Sequence, residues 1–381
     1  MSARFRLWFD SREATLEELA RFEEIEVTQE VDKFWEARCK MAMCLDANGR
    51  WRHRPDQTAA AFSRIRIALD PGDGDFVALI DGPVTQFDSR LDSQPGRSTA
   101  TFVVRDDSVL LHRGEANEVF RDKRDSEVAE ELLRAVPSIT TVQTAPPTAA
   151  IHPVTTRRGT RLELLSRLAR ANRRRAYVLP GEAPGTSIGC FLPDATEPNL
   201  AWPVLRLIGD ERNLGDATIE EDADAPERTT ARTLRLNDGV LAGFETGAQA
   251  LGLNGDRPAV PDDAAPLRQL PPEEALREDP EDAVSARAER AGRAFSLSSS
   301  TIPGCCRAVL LPYQMARIEC GSTPYSGNYF LTKVVHRITP SVWTTSFEGK
   351  RSGATEVAEA PTAEVPGGGL SVSFSASVGV F

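Results

Sequence analysis

Alternating apolar and polar positions dominate the first third of the chain. Side chains two residues apart lie on the same face of a β-strand, so a run with period two predicts a strand with one buried face. Ile25 and Val27 follow this pattern, and it continues in longer series, which are Phe5, Leu7 and Phe9; Trp35, Ala37, Cys39, Met41, Met43 and Leu45; and Ile65, Ile67 and Leu69. These runs predict a β-rich first domain over residues 1–137.

Capping boxes mark the starts of two helices. In this motif the side chain of a threonine just before the helix accepts a hydrogen bond from the backbone N–H of a glutamate three residues later. The glutamate side chain in turn accepts one from the backbone N–H of the threonine. Thr15 and Glu18 form one such pair. Thr160 and Glu163 form another ahead of RLELLSRLARAN, whose predicted inward positions are Leu162, Leu165, Leu168 and Ala169. The second box therefore predicts an amphipathic helix that is followed by a strand.

A further helix is predicted over residues 126–136. A cap near Asp125 precedes it, and Pro137 ends it. We expect this helix to close the first domain. The rest of the chain is predicted to comprise a linker rich in proline and alanine (138–153), a small α/β domain (154–199), a second β-domain (200–254 and 294–350), an exposed acidic Pro-rich excursion whose last residues have helical spacing (255–293) and a C-terminal tail (351–381).

Length and charge narrow the functional classes. The 381 residues suggest two or three domains, and 40% hydrophobic content is enough for real cores. With 45 basic and 56 acidic residues the net charge is -11, which argues against specific nucleic-acid binding through phosphate neutralisation. No signal-peptide core and no membrane-spanning run are evident, so we expect synthesis and folding in the cytosol without membrane insertion.

Cysteine and histidine spacing predicts neither a disulfide framework nor a metal site. We expect all six cysteines to be free thiols; they are Cys39, Cys44, Cys190, Cys305, Cys306 and Cys320. The four histidines, His53, His112, His152 and His336, do not form the paired spacing of zinc ligands. The sequence therefore predicts no metal, no cofactor and no cofactor-binding residue.

One short motif raises the possibility of catalysis. Gly185 to Gly189 read G-T-S-I-G and match the G-x-S-x-G nucleophile elbow, which needs a strand before the serine and a helix after it. The flanking sequences predict no such helix, so we interpret Ser187 as part of a glycine-rich loop. DPGDGD at 70–75 lacks the spacing of a calcium loop and predicts a turn. Arg173 to Arg175 are interpreted as cations at a helix C-terminus rather than a nucleic-acid patch.

The segment YSGNYFLTKVVHRITPSVWTTSFEGKR carries the most specific pattern. It predicts two strands joined by a proline turn, with His336 near the bend. It resembles the closing signature of the tail hub family, which includes phage late control protein D, the T-even baseplate hub and the N-terminal part of VgrG proteins. The matching positions are Gly327, Tyr329, Val334, His336, Thr345, Phe347 and Arg351. Other segments resemble the family in the same order, so the resemblance covers roughly residues 3 to 352.

The resemblance implies a fold and a role. Its fold is mainly β with α+β elements: two tail-tube-like β-barrels plus a small helix-strand domain. Its role is that of a non-enzymatic baseplate hub, a homotrimer that adapts a six-fold tail tube to a separate three-fold spike and contacts baseplate wedge or adaptor proteins. Such a protein is made in the host cytoplasm and built into a virion or an injection particle. A weak internal similarity agrees with the two barrels that the resemblance implies. A Thr-x-Phe sequence occurs in both LIDGPVTQFDSRLDSQPGRSTATFVVRD and FLTKVVHRITPSVWTTSFEGKR.

Two departures from the family and two alternatives remain. Arg173 to Arg175 stand where the family often has a glycine, and no spike repeat follows Arg351. The C-terminal run LSVSFSASVGVF is predicted to add as a strand to a spike or a neighbouring hub chain. One alternative function is a serine hydrolase using Ser187 with His336, or a hub with a cell-wall-degrading activity. The other is a secreted adhesin or binding module. His336 is expected to be a packed or hydrogen-bonded residue, and no catalytic residue is predicted.

Overall fold

The protein is mainly β, with few helices, over the residues that the structure describes. The computed structural model describes residues 4–52, 59–94, 96–148, 150–234, 239, 241–247, 255–271, 274 and 280–356. His53 and the predicted strand of the C-terminal tail lie outside these ranges. Within them, no helix combines the length and the hydropathy that crossing a bilayer requires.

The first region is built almost entirely from strands. They are β1 (Arg4–Phe9), β2 (Arg12–Glu13), β3 (Phe22–Glu30), β4 (Glu36–Ala42), β5 (Cys44–Leu45), β6 (Trp51–Arg52), β7 (Arg64–Asp70), β8 (Val77–Arg90) and β9 (Thr99–Arg105). Helix α1 (Leu16–Leu19) lies between β2 and β3 and starts at the predicted capping box of Thr15 and Glu18.

The alternating pattern of this region marks the core correctly. Trp35, Ala37, Cys39 and Met41 are at most 1% exposed, and the predicted face of β7 is buried as well. Leu45 is the exception, because it is 55% exposed. The main sheet ends before it: β5 leaves β4 and pairs instead with β6 in a separate two-stranded sheet.

A helix-strand unit follows. Its elements are α2 (Ser108–His112), β10 (Ala116–Arg124), α3 (Asp125–Arg134), β11 (Ile139–Gln143), β12 (Ile151–Gly159), α4 (Arg161–Ala171), β13 (Arg175–Pro180) and β14 (Ser187–Leu192). Helices α3 and α4 pack on the sheet of β11, β14 and β13, and their shared core includes Val128, Leu132, Leu164, Leu168 and Phe191. Helix α3 therefore packs into this unit rather than closing the preceding sheet.

The boundaries of this unit differ from the predictions in two places. The capping box at Thr160 and Glu163 is present, with the Thr160 N–H donating to Glu163 Oε2 at 2.8 Å. Helix α3, however, starts at Asp125 with Arg124 as its N-cap, one residue earlier than expected. The linker interpretation of residues 138–153 is wrong for β11, because Ile139 is buried and the strand pairs in parallel with β14.

The last region returns to strands. Its elements are β15 (Leu205–Arg206), β16 (Leu214–Glu221), β17 (Arg228–Leu234), β18 (Leu241–Thr246), β19 (Arg257–Pro258), a 3₁₀ turn (Asp262–Ala264), β20 (Leu267–Gln269), α5 (Glu281–Ala291), β21 (Phe295–Thr301), β22 (Met315–Glu319), β23 (Gly327–Ile338), β24 (Trp343–Arg351) and β25 (Gly353–Ala354).

The acidic Pro-rich excursion is not wholly exposed. Its predicted helical end is α5, and that helix buries Ala283, Val284, Ala286 and Ala288. Ala283 and Val284 belong to a small core with Ala231 and Leu270. The predicted exposure is wrong for α5, because small alanine side chains let the helix lie close to its neighbours.

Thirteen of the described strands form one continuous sheet. Its main path is β16-β21-β24-β23-β3-β4-β9-β8-β7-β1-β2, and β22 and β15 branch from β23. Strand β23 pairs antiparallel with β3, which joins the last region to the first. The resemblance to the tail hub family implied two tail-tube-like β-barrels, whereas the pairing of the described strands closes neither end of this sheet into a ring.

Candidate functional site

Ser187, the serine of the G-x-S-x-G match, is a structural residue. It is fully buried as the first residue of β14, so a strand follows it rather than the helix that a nucleophile elbow requires. Its hydroxyl donates to Asp107 Oδ2 at 2.8 Å, and its N–H donates to the Ser138 carbonyl at 2.7 Å. The loop interpretation is thus wrong for Ser187 itself, which belongs to the sheet.

Asp107 belongs to a buried ionic cluster that ties the helix-strand unit to the first region. Arg64 bridges two carboxylates, with Nη1 2.8 Å from Asp107 Oδ1 and Nη2 2.9 Å from Asp81 Oδ1. Arg66 Nη1 lies 3.2 Å from Asp81 Oδ2, and the Gly185 N–H donates to the same oxygen at 2.8 Å. The glycine-containing loop is therefore an anchor point for β7 and β8.

His336 is packed and hydrogen-bonded, as expected. Its Nε2 lies 3.0 Å from the Leu310 carbonyl, which can only accept, so Nε2 carries the proton. Its Nδ1 lies 3.0 Å from Thr345 Oγ1 and 3.4 Å from Trp343 Nε1. Complete burial lowers the pKa of His336 to about 4. The imidazole is therefore neutral at neutral pH, and it shares no hydrogen-bond partner with Ser187.

The other signature residues explain why the pattern contains a glycine, a tyrosine and an arginine. Arg351 is only 1% exposed, and its guanidinium donates to the Ser326 carbonyl at 2.7 Å and to Thr355 Oγ1 at 2.9 Å. The same group lies 5.4 Å from the ring centroid of Tyr329. A Cβ at Gly327 would come within 2.3 Å of Arg351 Nη1, so only glycine leaves room for the arginine. These three signature residues are therefore explained by how they pack against one another.

The three consecutive arginines are engaged within the protein. Arg173 has φ of 53° and takes a left-handed position just after α4, where glycine is the usual residue at the end of a helix. Arg174 donates to the Phe191 carbonyl at 3.2 Å, and Arg175 Nε lies 3.0 Å from Asp194 Oδ1. Arg174 and Arg175 are buried. The helix-dipole interpretation is therefore incomplete, because Arg174 joins segments of the helix-strand unit and Arg175 also pairs with Asp32 of the first region.

The remaining candidates also have structural explanations. Asp70 accepts the N–H groups of Gly72 and Gly74, which confirms the predicted turn and holds the pKa of Asp70 at about 2. In the described ranges no group of three or more histidine, cysteine or acidic residues is arranged to hold a metal ion. All six cysteines are free, and burial raises the pKa of Cys39 to about 12.

A cavity of about 940 Å³ lies where the helix-strand unit meets the sheet. Its wall includes Tyr177 and Tyr313, whose stacked rings are 3.8 Å apart, and an ion pair between Arg175 and Asp32. Burial raises the pKa of Asp106, also on this wall, to about 6. The charged groups named here form ion pairs with one another or accept hydrogen bonds from backbone N–H groups. We therefore interpret the cavity as part of the contact between the helix-strand unit and the sheet.

The main sheet contains the same arrangement of strands twice. We define the first half as β1, β3, β4, β7, β8 and β9, and the second half as β15, β16, β21, β22, β23 and β24. Numbered one to six in chain order, the strands of both halves follow the path 2-3-6-5-4-1. The one difference in direction is that β1 pairs antiparallel with β7, whereas β15 pairs in parallel with β22.

A β-bulge at the same place confirms the equivalence of the halves. In the first half the register of β8 on β9 shifts at Thr85, and in the second half that of β23 on β24 shifts at Thr332. Both threonine hydroxyls then donate across the sheet, Thr85 to the Val103 carbonyl at 3.3 Å and Thr332 to the Glu348 carbonyl at 3.2 Å. When the two bulges are aligned, Phe102 on β9 is equivalent to Phe347 on β24, and both phenylalanines are buried.

A second bulge is duplicated as well. The pairing of β3 with β4 shifts at Glu23, and the pairing of β16 with β21 shifts at Gly215. The internal similarity noticed in the sequence therefore corresponds to a structural repeat. Its Thr-x-Phe elements are not themselves equivalent, because Thr85 matches Thr332 and not Thr345. Sequence reasoning missed both bulges, since an inserted residue looks like a break in an alternating pattern.

The fold is shared with known tail proteins. A tail protein from Neisseria meningitidis superposes with a TM-score of 0.62 at 12% identity, over 92% of this chain and 96% of that one. The 43 kDa tail protein of prophage MuSo2 from Shewanella oneidensis gives 0.62 at 11% identity, over 91% and 98%. An E. coli type VI secretion component described as similar to T4 tail proteins gp27 and gp5 gives 0.51 at 11%, over 92% and 76%.

At these identities the likeness concerns the fold alone. No protein-family model matches the sequence, and no curated protein matches it. The structural similarity to phage tail proteins and to type VI secretion components agrees with the resemblance found in the signature residues. The chain therefore has a tail-protein fold that contains two copies of one sheet arrangement.

Proposed function

We propose that this chain is a structural baseplate hub of a contractile tail or a related injection machine. It acts as a homotrimer that joins a six-fold tail tube to a separate three-fold spike. The observation that carries the proposal is the duplicated strand order, with its matching bulges, inside a chain whose fold is that of tail proteins.

Duplication provides a physical solution to a symmetry mismatch. Identical contacts in a closed ring repeat once per subunit, so a six-fold tube and a three-fold spike cannot share one set of them. Two equivalent halves per chain remove the conflict, since three chains then offer six similar units to the tube and three identical sites to the spike. We propose that each half, together with the strands around it, acts as one tube-like unit.

The contacts of Ser187 and His336 favour a structural role over the hydrolase alternative. The Ser187 hydroxyl is buried and bonds an aspartate, and His336 is buried in a different set of hydrogen bonds. A Ser187→Ala variant is therefore expected to assemble, and no hydrolytic activity should distinguish it from the parent.

The mass and symmetry of the assembled protein test the proposal. The 41.6 kDa chain, alone and mixed with its tube protein, should give a three-copy particle by native mass spectrometry. Electron cryo-microscopy should show a ring of six sheet units around a channel. A two-copy particle, or a chain that stays single in the presence of the tube protein, contradicts the proposal.

A further inference from the structure

On the main sheet, one edge of β16 and one edge of the second part of β8 have no partner among the described residues. Strand β16 pairs only with β21, and it lies at the end of the main path. On β8, residues 86–90 pair with β9 on one side, while β7 reaches only residues 77–83 on the other. Open edges expose unpaired N–H and C=O groups and invite pairing with another chain. Both edges are therefore candidate contact surfaces.

The corresponding edges of the equivalent strands, β23 and β3, pair with each other within the chain. Residues 333–338 of β23 pair with β24 on one side and with residues 25–30 of β3 on the other. Strand β23 is the equivalent of β8, and β3 is the equivalent of β16. The chain thus already contains one junction of the type β23–β3, and the equivalent strands β8 and β16 each keep an open edge among the described residues.

We propose that β16 of one copy pairs antiparallel with residues 86–91, the end of β8 and the residue after it, in the next copy. This contact reproduces the β23–β3 junction between chains. It rests on the trimer put forward above, and it specifies which strands form the interface of that trimer.

The bulges set the register of this contact. Counting from them, Ser89 takes the place of His336 and Ile219 takes the place of Val27. Within the chain, His336 lies opposite Val27. Ser89 of one copy therefore lies opposite Ile219 of the next. Ser89 is exposed and Ile219 is half-buried in the single chain, so both side chains are open to a partner.

Charges at the two junctions follow the same plan. In the chain, Arg337 on β23 pairs with Glu24 on β3, with Nε 2.6 Å from Oε1. The equivalent positions are Arg90 on β8 and Asp216 on β16, which preserve one cation and one anion on the same strands. Arg90 and Asp216 are both exposed. An ion pair between neighbouring copies is the expected counterpart of the pair seen within one copy.

Such a contact joins different surfaces and repeats head to tail. Contacts of this kind close into a ring when the rotation between subunits permits it. Each chain contributes one internal junction and one external junction. Three chains then give six junctions of a single type, which makes the sheet continuous around the ring.

Engineered disulfides can test the register. The experiment uses the full chain with exposed Cys44 and Cys305 changed to serine, into which Ser89→Cys and Ile219→Cys are introduced together. Mild oxidation should give covalent dimers and trimers. The matched control replaces Ile219→Cys with Thr218→Cys, whose side chain points to the opposite face of the strand. The control should stay largely uncrosslinked.

The outcomes separate this inference from the proposed function. Three-copy particles that crosslink through Ser89→Cys and Ile219→Cys support both. Three-copy particles in which this pair reacts no better than the control overturn the strand contact and leave the trimer standing. A chain that remains single, with and without the tube protein, and forms no crosslink overturns both.

A charge exchange gives an independent readout. Arg90→Asp should raise the concentration at which half of the trimer dissociates by about tenfold or more, because it places two acids together. Adding Asp216→Arg should restore much of the loss. Arg97→Asp, at another exposed arginine, should have little effect. Equal effects of the Arg90 and Arg97 variants, with no rescue, would overturn the contact.

Discussion

The two halves of the main sheet share a strand order and differ in the chemistry of their interiors. In the first half β4 buries Ala37, Cys39 and Met41. Its counterpart β21 buries Ser299 and Thr301 besides Phe295 and Leu297. The features retained in both halves are the two bulges, the hydroxyl bond of the bulge threonine and one buried phenylalanine. Backbone register is therefore preserved where side-chain identity is not.

The two halves also differ in how deeply the equivalent positions of β23 and β8 are buried. His336 on β23 is fully buried, whereas Ser89 at the equivalent place on β8 is exposed. The second half has β3 of the same chain beside its long strand, and the first half has no such neighbour among the described residues. Burial at these positions thus reports whether a neighbouring strand is present.

The largest expected effect is the difference between substitutions at Val27 and Ile219, which occupy equivalent positions on β3 and β16. Val27→Asp should leave the chain unfolded or insoluble, because Val27 is fully buried between β4 and β23 and a charge there loses its hydration. Ile219→Asp, on the open edge of β16, should cost about 1 kcal/mol in the single chain because Ile219 is only half-buried. Chemical denaturation of both variants tests this, and similar losses would contradict the equivalence.

The ionic cluster should account for the next effect, and it joins the first half to the helix-strand unit. Asp107→Ala removes one carboxylate from Arg64 and the acceptor of Ser187, so the free energy of unfolding should fall by about 3–5 kcal/mol. Asp73→Ala, in an exposed turn, is the matched control and should change it little. A loss under about 1 kcal/mol for Asp107→Ala would show that the cluster does not hold the units together.

His336 should make the second half sensitive to acid. Its folded pKa of about 4 lies below the ordinary value of 6.5, so the unfolded state binds the proton more tightly. The stability from keeping this imidazole neutral is complete above pH 6.5 and is lost as the pH falls towards 4, by up to about 3 kcal/mol. His336→Gln should flatten that part of the pH profile. His112→Gln, at an exposed histidine, should not.

The smallest expected effect concerns the bulge threonines. Thr85→Val and Thr332→Val each remove one hydroxyl bond to a carbonyl, and each should cost about 1 kcal/mol. The two sites lie in different halves, so the double variant should cost about the sum. Urea denaturation can measure the three variants. Clearly unequal single costs would mean that the two bulges are not equivalent in energy.

Local patterns determined much of the fold from the sequence alone. Period-two alternation identified the buried faces of β1, β4 and β7, and capping boxes located the starts of α1 and α4. These features depend on residues within a few positions of each other, so they can be read directly along the chain. The closing signature likewise indicated a tail-protein fold, and the close approach of Gly327 to the buried Arg351, which lies against Tyr329, explains three of its positions.

Tertiary structure alone decided the contacts between distant segments. The junction of β23 with β3 places His336 opposite Val27. The ion pair of Asp107 with Arg64 links the helix-strand unit to the first half. Neither contact has a local signal, because strand edges and buried carboxylates choose partners by position in space. The sequence could therefore suggest a repeat, but only the pairing register showed that its two copies meet edge to edge.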